Sequence, residues 1–135
     1  MTRRTLLSLS FVVLAAVAVV AGMSPAAQGA GEAAMGPVRH IVLFNLKDDV
    51  TPETLKKMGA AAQQLKADVP EIQTLEFAEN LATNTRNDGY THCLYVTFKD
   101  EAGLKAYGPS KGHETFKGAF LPSVEKVLVF DYRAD

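Results

Sequence analysis

The chain has 135 residues, a formal net charge of −1, and hydrophobic side chains at 47% of its positions. This length allows one domain at most, and a charge near zero gives no indication of a nucleic-acid or anionic-surface partner. A single cysteine, Cys93, excludes an intramolecular disulfide. Because Cys93 lies among apolar residues in a predicted strand, we expect a buried, unreactive thiol.

The N-terminal stretch has the three parts of an export signal. Arg3 and Arg4 precede an apolar run over residues 6–22, and small residues suited to cleavage follow it. We predict a signal peptide over residues 1–30 and a linker over residues 31–37, and a periplasmic or extracellular mature protein that has no membrane contact after cleavage. Two alternatives stay open: an uncleaved anchor, because the run is near the minimum length for a span, and export by the twin-arginine route.

Period-two alternation of apolar side chains predicts four strands after the linker. They cover residues 38–46, 72–80, 90–99 and 124–132. A turn formed by Asn87, Asp88 and Gly89 precedes the third strand, since these residue types favour tight reversals and positive φ.

Helical spacing of apolar side chains predicts two helical regions between the strands. The first begins at an N-cap Thr51 followed by Pro52 and ends before Pro70. The second comprises a short helix over residues 101–107, a break rich in glycine and proline, and a further helical piece over residues 113–121.

The predicted order β-α-β-β-α-β is typical of an α+β, ferredoxin-like fold, in which a four-stranded antiparallel sheet carries its helices on one face. In the usual strand order the first and third strands are central neighbours. The other sheet face is also apolar on several strands. In the first strand Ile41 and Leu43 make it so, and the last strand is apolar on both sides, with Val127 and Val129 on one and Leu128, Phe130 and Tyr132 on the other. Because such a face is too large for a soluble monomer to expose, we predict a homodimer that buries sheet against sheet.

Four segments carry a resemblance to a known family. They are VRHIVLF, GYTHCLYVTF, the spacing of six between Tyr107 and His113, and the closing strand VLVFDY. In this order they resemble the stress-responsive dimeric α/β-barrel (Dabb) family over residues 38–133. The resemblance implies a ferredoxin-like protomer whose sheets pair into a barrel, and it implies little about chemistry, because most members have no assigned reaction.

The resemblance also points to candidate site residues. A plant polyketide cyclase of this family uses a histidine base assisted by a tyrosine, and these fall at His113 and Tyr107; two further histidines of that enzyme fall at His40 and His92. An imidazole can take a proton α to a carbonyl while a phenol hydroxyl stabilises the oxyanion that develops. The chain departs from the family at Ser110, which replaces the first histidine of the usual His-Pro-x-His segment.

We therefore predict that the homodimer binds a small apolar or aromatic molecule in a barrel pocket lined by these four residues, and that it needs no cofactor or metal. The alternative is an acid/base enzyme of polyketide-cyclase type, with His113 and Tyr107 catalytic. Other interpretations stay open: His40 and His92 as hydrogen-bonded core residues, Tyr107 as a packing aromatic, and a metal held by the three histidines if they converge. No residue pattern supports a haem or oxygenase role.

Overall fold

The structure is a computed structural model and describes residues 36–135. The predicted signal peptide, the apolar run and most of the predicted linker lie outside these residues. The described chain forms four strands and three helices, joined in places by short 3-10 turns. In chain order they are β1 (Val38–Leu46), α1 (Pro52–Asp68), β2 (Ile72–Glu79), β3 (His92–Phe98), α2 (Glu101–Tyr107), α3 (Lys111–Phe120) and β4 (Val124–Arg133).

The four strands form one antiparallel sheet in the order β2-β3-β1-β4. The first and third strands are its centre, as the ferredoxin-like prediction requires. Along β1, His40 pairs with Val96 of β3 and with Asp131 of β4. Because paired residues of antiparallel strands project to the same side of a sheet, this register decides which side chains meet.

The helices cover one face of the sheet and enclose the core. Helix α1 contributes Met58, Ala62 and Leu65, and α3 contributes Phe116 and Phe120. The Phe120 ring meets Phe44 of β1 edge to face, with ring centroids 4.8 Å apart, a favourable geometry for aromatic pairs. The second helical region, which is divided into α2 and α3, therefore packs into the same core as α1. Helix α1 begins at the predicted N-cap, Thr51.

The opposite sheet face, here called the open face, carries no helix. Its side chains come from all four strands, and its apolar part contains Ile41, Leu43, Tyr95, Leu128, Phe130 and Tyr132. Phe130 is 57% exposed and Leu128 44% exposed. Cys93 also lies on this face, opposite Leu43, so the expectation of a core thiol is corrected: the residue is half-buried, and burial followed by the charge of Glu76 raises the pKa of its thiol.

The turn before β3 has the predicted backbone. Asp88 and Gly89 both have positive φ, at 48° and 74°, and Asn87 accepts a hydrogen bond from the Gly89 amide through its side chain. Within residues 36–135, no helix is both long enough and apolar enough to cross a membrane.

Candidate functional site

A cavity of about 220 Å³ lies between the helix-covered face of the sheet and α3. Its surface is mostly apolar, with a few polar groups gathered at one side, as in small-molecule sites. The lining residues are His40, Val42, Leu94, Tyr107, His113, Phe116, Lys117, Phe120, Leu121, Val127 and Val129.

His113 lies in the first turn of α3, where the helix cap holds it. The hydroxyl of Ser110 accepts a hydrogen bond from the His113 amide at 3.2 Å, and this N-cap makes α3 begin at Lys111. The imidazole Nδ1 lies 2.8 Å from the carbonyl oxygen of Gly108. Because a carbonyl oxygen only accepts, Nδ1 must carry a proton, and in the neutral ring Nε2 is then left with its lone pair. His113 is therefore prepared to act as a base at Nε2.

Tyr107 is the last residue of α2 and lies between the two cavity histidines. Its ring centroid is 4.2 Å from that of His113 and 5.5 Å from that of His40. The residue is 2% exposed. Burial, and secondly the negative charge of Asp131, raise the pKa of the Tyr107 phenol well above its usual value. The hydroxyl is thus a permanent hydrogen-bond donor and not a base.

His40 is hydrogen-bonded to Asp131, a contact that the sequence patterns did not predict. The His40 Nδ1 atom lies 2.6 Å from Asp131 Oδ1, so Nδ1 carries the proton and the carboxylate orients the ring. This contact follows from the β1–β4 register, in which the two residues are direct partners. The sequence does contain an indication of this contact. In the alternation along β4, Asp131 follows Val127 and Val129 on the same side of the strand, where a carboxylate is unexpected.

His92 does not line this cavity, so the structure brings together three of the four predicted site residues here and places His92 apart from them. In the β1–β3 register His92 pairs with Phe44, four residues farther along β1 than His40, a separation of about 13 Å at roughly 3.3 Å per residue. Its ring stacks on Phe44 with centroids 5.5 Å apart. Burial lowers the pKa of His92, against a smaller raising effect of Glu79. His92 is largely buried and also lines two other pockets, so its contact with a ligand stays a prediction.

The cavity also differs in position from the predicted barrel pocket. His40 and Tyr107 meet on the helix-covered face of the sheet, whereas a barrel made from two sheets would enclose the open face. The cavity lies between the sheet and α3 of the protomer. Across residues 36–135, no three histidine, cysteine, aspartate or glutamate side chains cluster as a metal site would require.

Residues 38–134 match the sequence model of the stress responsive A/B barrel domain. The stress-response A/B barrel domain-containing protein HS1 of Arabidopsis thaliana is 30% identical over 102 residues, which are 76% of this chain and 94% of that protein. Olivetolic acid cyclase of Cannabis sativa is 24% identical over 95 residues, covering 70% and 94% of the two chains.

Solved structures agree with this match. The hydroxynitrile lyase of Passiflora edulis superimposes with a TM-score of 0.68 at 26% identity, covering 74% of this chain and 94% of the lyase. A dimeric protein of unknown function and ferredoxin-like fold from Bacteroides fragilis superimposes with a TM-score of 0.61 at 26% identity, covering 73% and 97%. The family match spans nearly all of the described residues, and with this fold the chain belongs to the stress responsive A/B barrel (Dabb) family.

Proposed function

We propose that this protein binds a small carbonyl compound in the cavity between its sheet and α3 and abstracts a proton α to the carbonyl. The observation that carries the proposal is the placement of Tyr107 against His113, with ring centroids 4.2 Å apart, where His113 Nδ1 is bound to the Gly108 carbonyl. A base with a free Nε2 atom and a permanent hydroxyl donor thus line the same apolar space. Two relatives are named as a cyclase and a lyase, so related chains include enzymes.

The size of the cavity limits the ligand. Its volume is about 220 Å³, and an apolar cavity of about 150 Å³ is enough for benzene. The space suits one ring with a few further atoms, and its lining favours an aromatic or aliphatic body. The class of ligand is therefore a small apolar or aromatic ketone or aldehyde.

The chemistry requires one proton transfer with a positioned donor. His113 Nε2 takes the proton from the α-carbon, the C–H electron pair moves into the enolate, and the Tyr107 hydroxyl donates a hydrogen bond to the enolate oxygen. His40, held by Asp131, forms the wall on the other side of Tyr107. The enolate can then recover a proton from His113 or attack a second carbonyl within the same substrate.

The test is exchange of the methyl protons of acetophenone for deuterium, followed by NMR in deuterated buffer. We expect the wild-type protein to accelerate the exchange and His113→Gln to remove roughly 100-fold to 10,000-fold of that rate. His92→Gln is the matched control, because His92 lies outside the cavity. Saturable binding of acetophenone without any exchange would contradict the proton abstraction and leave only ligand binding. If the protein neither binds acetophenone nor accelerates the exchange, the whole proposal is wrong.

We also propose that the protein is a homodimer in which the open faces of two protomers meet. The support is the exposed apolar row on that face, together with the dimeric state named for a structural relative. Export remains a separate proposal that rests on the sequence of residues 1–30 alone. Its test is N-terminal sequencing of the mature protein, in which a start at Met1 would contradict cleavage.

A further inference from the structure

Lys117 lines the cavity and is not used by the proposed proton transfer. It lies in α3 four residues after His113, so both side chains project from one side of the helix, and both line the cavity. No local sequence pattern distinguishes this lysine, because lysine on a short amphipathic helix is usually a solvated residue.

Lys117 is the one permanent charge among the residues that line the cavity, and no carboxylate is among them. The carboxylate of Asp131 accepts a hydrogen bond from His40 Nδ1, and its charge also acts on Tyr107. An ammonium group beside an apolar volume attracts an anionic ligand group, and the field is strengthened where the ligand displaces water.

The ammonium group of Lys117 is held by a carboxylate that a ligand can replace. In this structure it forms an ion pair with Glu114, three residues earlier, at 2.6 Å. The Lys117 side chain is 37% exposed and that of Glu114 59% exposed, and exposed ion pairs of this kind contribute little to stability. A ligand anion can therefore compete with Glu114 for the same donor, or share it.

From these observations we infer that the substrate is a single-ring carbonyl compound that carries a carboxylate, and that Lys117 is the residue that selects for it. The inference rests on the proposed function and names the substrate class of the same cavity. The volume of about 220 Å³ suits the ring with its acetyl group, and the carboxylate would lie at the edge of the cavity, where the Lys117 side chain is 37% exposed. Lys117 acts on binding, and proton transfer stays with His113.

The experiment compares two ligands of nearly the same shape, 4-acetylbenzoate and the neutral 4-acetylbenzamide, together with their 3-substituted isomers. Dissociation constants are measured by titration calorimetry on the wild-type protein and on Lys117→Met, which keeps the length of the side chain without its charge. Glu114→Gln is the matched control, because it removes the competing carboxylate and leaves the lysine.

We expect the wild-type protein to bind at least one carboxylate isomer roughly tenfold more tightly than its amide, as a charge-assisted contact should give. In Lys117→Met this ratio should fall to about one with the affinity for the amide unchanged, and Glu114→Gln should keep or raise the ratio. Raising the salt concentration from about 50 mM to about 500 mM should weaken the binding of the carboxylate only.

Equal binding of acid and amide by the wild-type protein would overturn the selection by charge and leave the proposed function standing. A preference that persists in Lys117→Met would overturn the role of this residue. If neither the acids, the amides nor acetophenone binds, the proposed function fails together with the inference.

Discussion

The hydroxyl of Tyr107 stays protonated at any pH at which the protein works, because burial and the nearby Asp131 carboxylate raise its pKa. This fixes its chemical role as a donor. His113 has the complementary role, because the Gly108 carbonyl holds the proton on Nδ1. The two side chains thus differ in function through their surroundings, although both are titratable groups in one cavity.

Removing the hydroxyl should therefore affect the rate more than binding. We expect Tyr107→Phe to lower the rate of acetophenone exchange by roughly 100-fold to 1,000-fold, as for a lost oxyanion donor, with little change in the dissociation constant. Tyr90→Phe is the control, since Tyr90 lies in the loop before β3 and outside the cavity. An unchanged rate in Tyr107→Phe would assign Tyr107 to packing alone.

The lowered pKa of His92 leads to a separate prediction about stability. Burial lowers its pKa in the folded state below the ordinary value of 6.5, so the unfolded chain binds the proton more readily. Stability from this group is present above about pH 6.5 and is lost as pH falls through the folded-state pKa. Urea unfolding at about pH 7.5 and about pH 5.5 should show a larger loss in the wild-type protein than in His92→Gln. Equal losses would contradict the account of His92.

At the scale of elements, the N-cap of α3 links folding to the site. The Ser110 hydroxyl accepts a hydrogen bond from the His113 amide and so caps the helix. The position of His113 thus depends on the first turn of α3.

We expect Ser110→Ala to lower the free energy of unfolding by about 1 kcal/mol, since an N-cap acceptor is lost. Ser110→Asp should retain most of the stability, because aspartate also caps helices and suits the positive end of the helix dipole. Urea denaturation measures both variants. If alanine and aspartate behaved alike, the hydroxyl would not be acting as a cap.

Local sequence patterns were sufficient for the secondary structure. The alternation in β1 and the Thr51–Pro52 helix start gave boundaries that match the structure, and the glycine-proline break separated α2 from α3. Helix α3 begins at Lys111, two residues before the predicted start at His113, because Ser110 caps it.

The site needed the register, which is a property of strand pairing and not of one segment. Asp131 could be found only by placing β4 against β1, where it meets His40. His92 seemed equivalent to His40 in its own strand, yet pairing places it beside Phe44 instead. Lys117 has no distinguishing local pattern, and its position at the cavity follows from how α3 packs on the sheet.

At the scale of the whole molecule, the two faces of the sheet differ in the function that we propose for them. The helix-covered face packs the core, and the cavity on this side is exposed along β4 at Val127 and Val129. The open face presents Ile41 and Leu43 beside Leu128, Phe130 and Tyr132. A charge on the open face should therefore disturb assembly and leave the cavity intact.

We expect Phe130→Glu to convert the dimer into a monomer at micromolar concentration, because a buried unpaired carboxylate is costly. Leu81→Glu is the matched control, since Leu81 is 89% exposed in the loop after β2. Sedimentation velocity measures the mass of each. A wild-type monomer, or a dimer that survives Phe130→Glu, would contradict assembly through the open face.

The central claim is that a small carbonyl compound binds between His113 and Tyr107, and a crystal structure of the protein with acetophenone tests it most directly. We predict the ketone oxygen within hydrogen-bond distance of the Tyr107 hydroxyl and the methyl carbon about 3 to 3.5 Å from His113 Nε2. An empty cavity at a saturating concentration, or a ketone bound only on the open face, would contradict the claim.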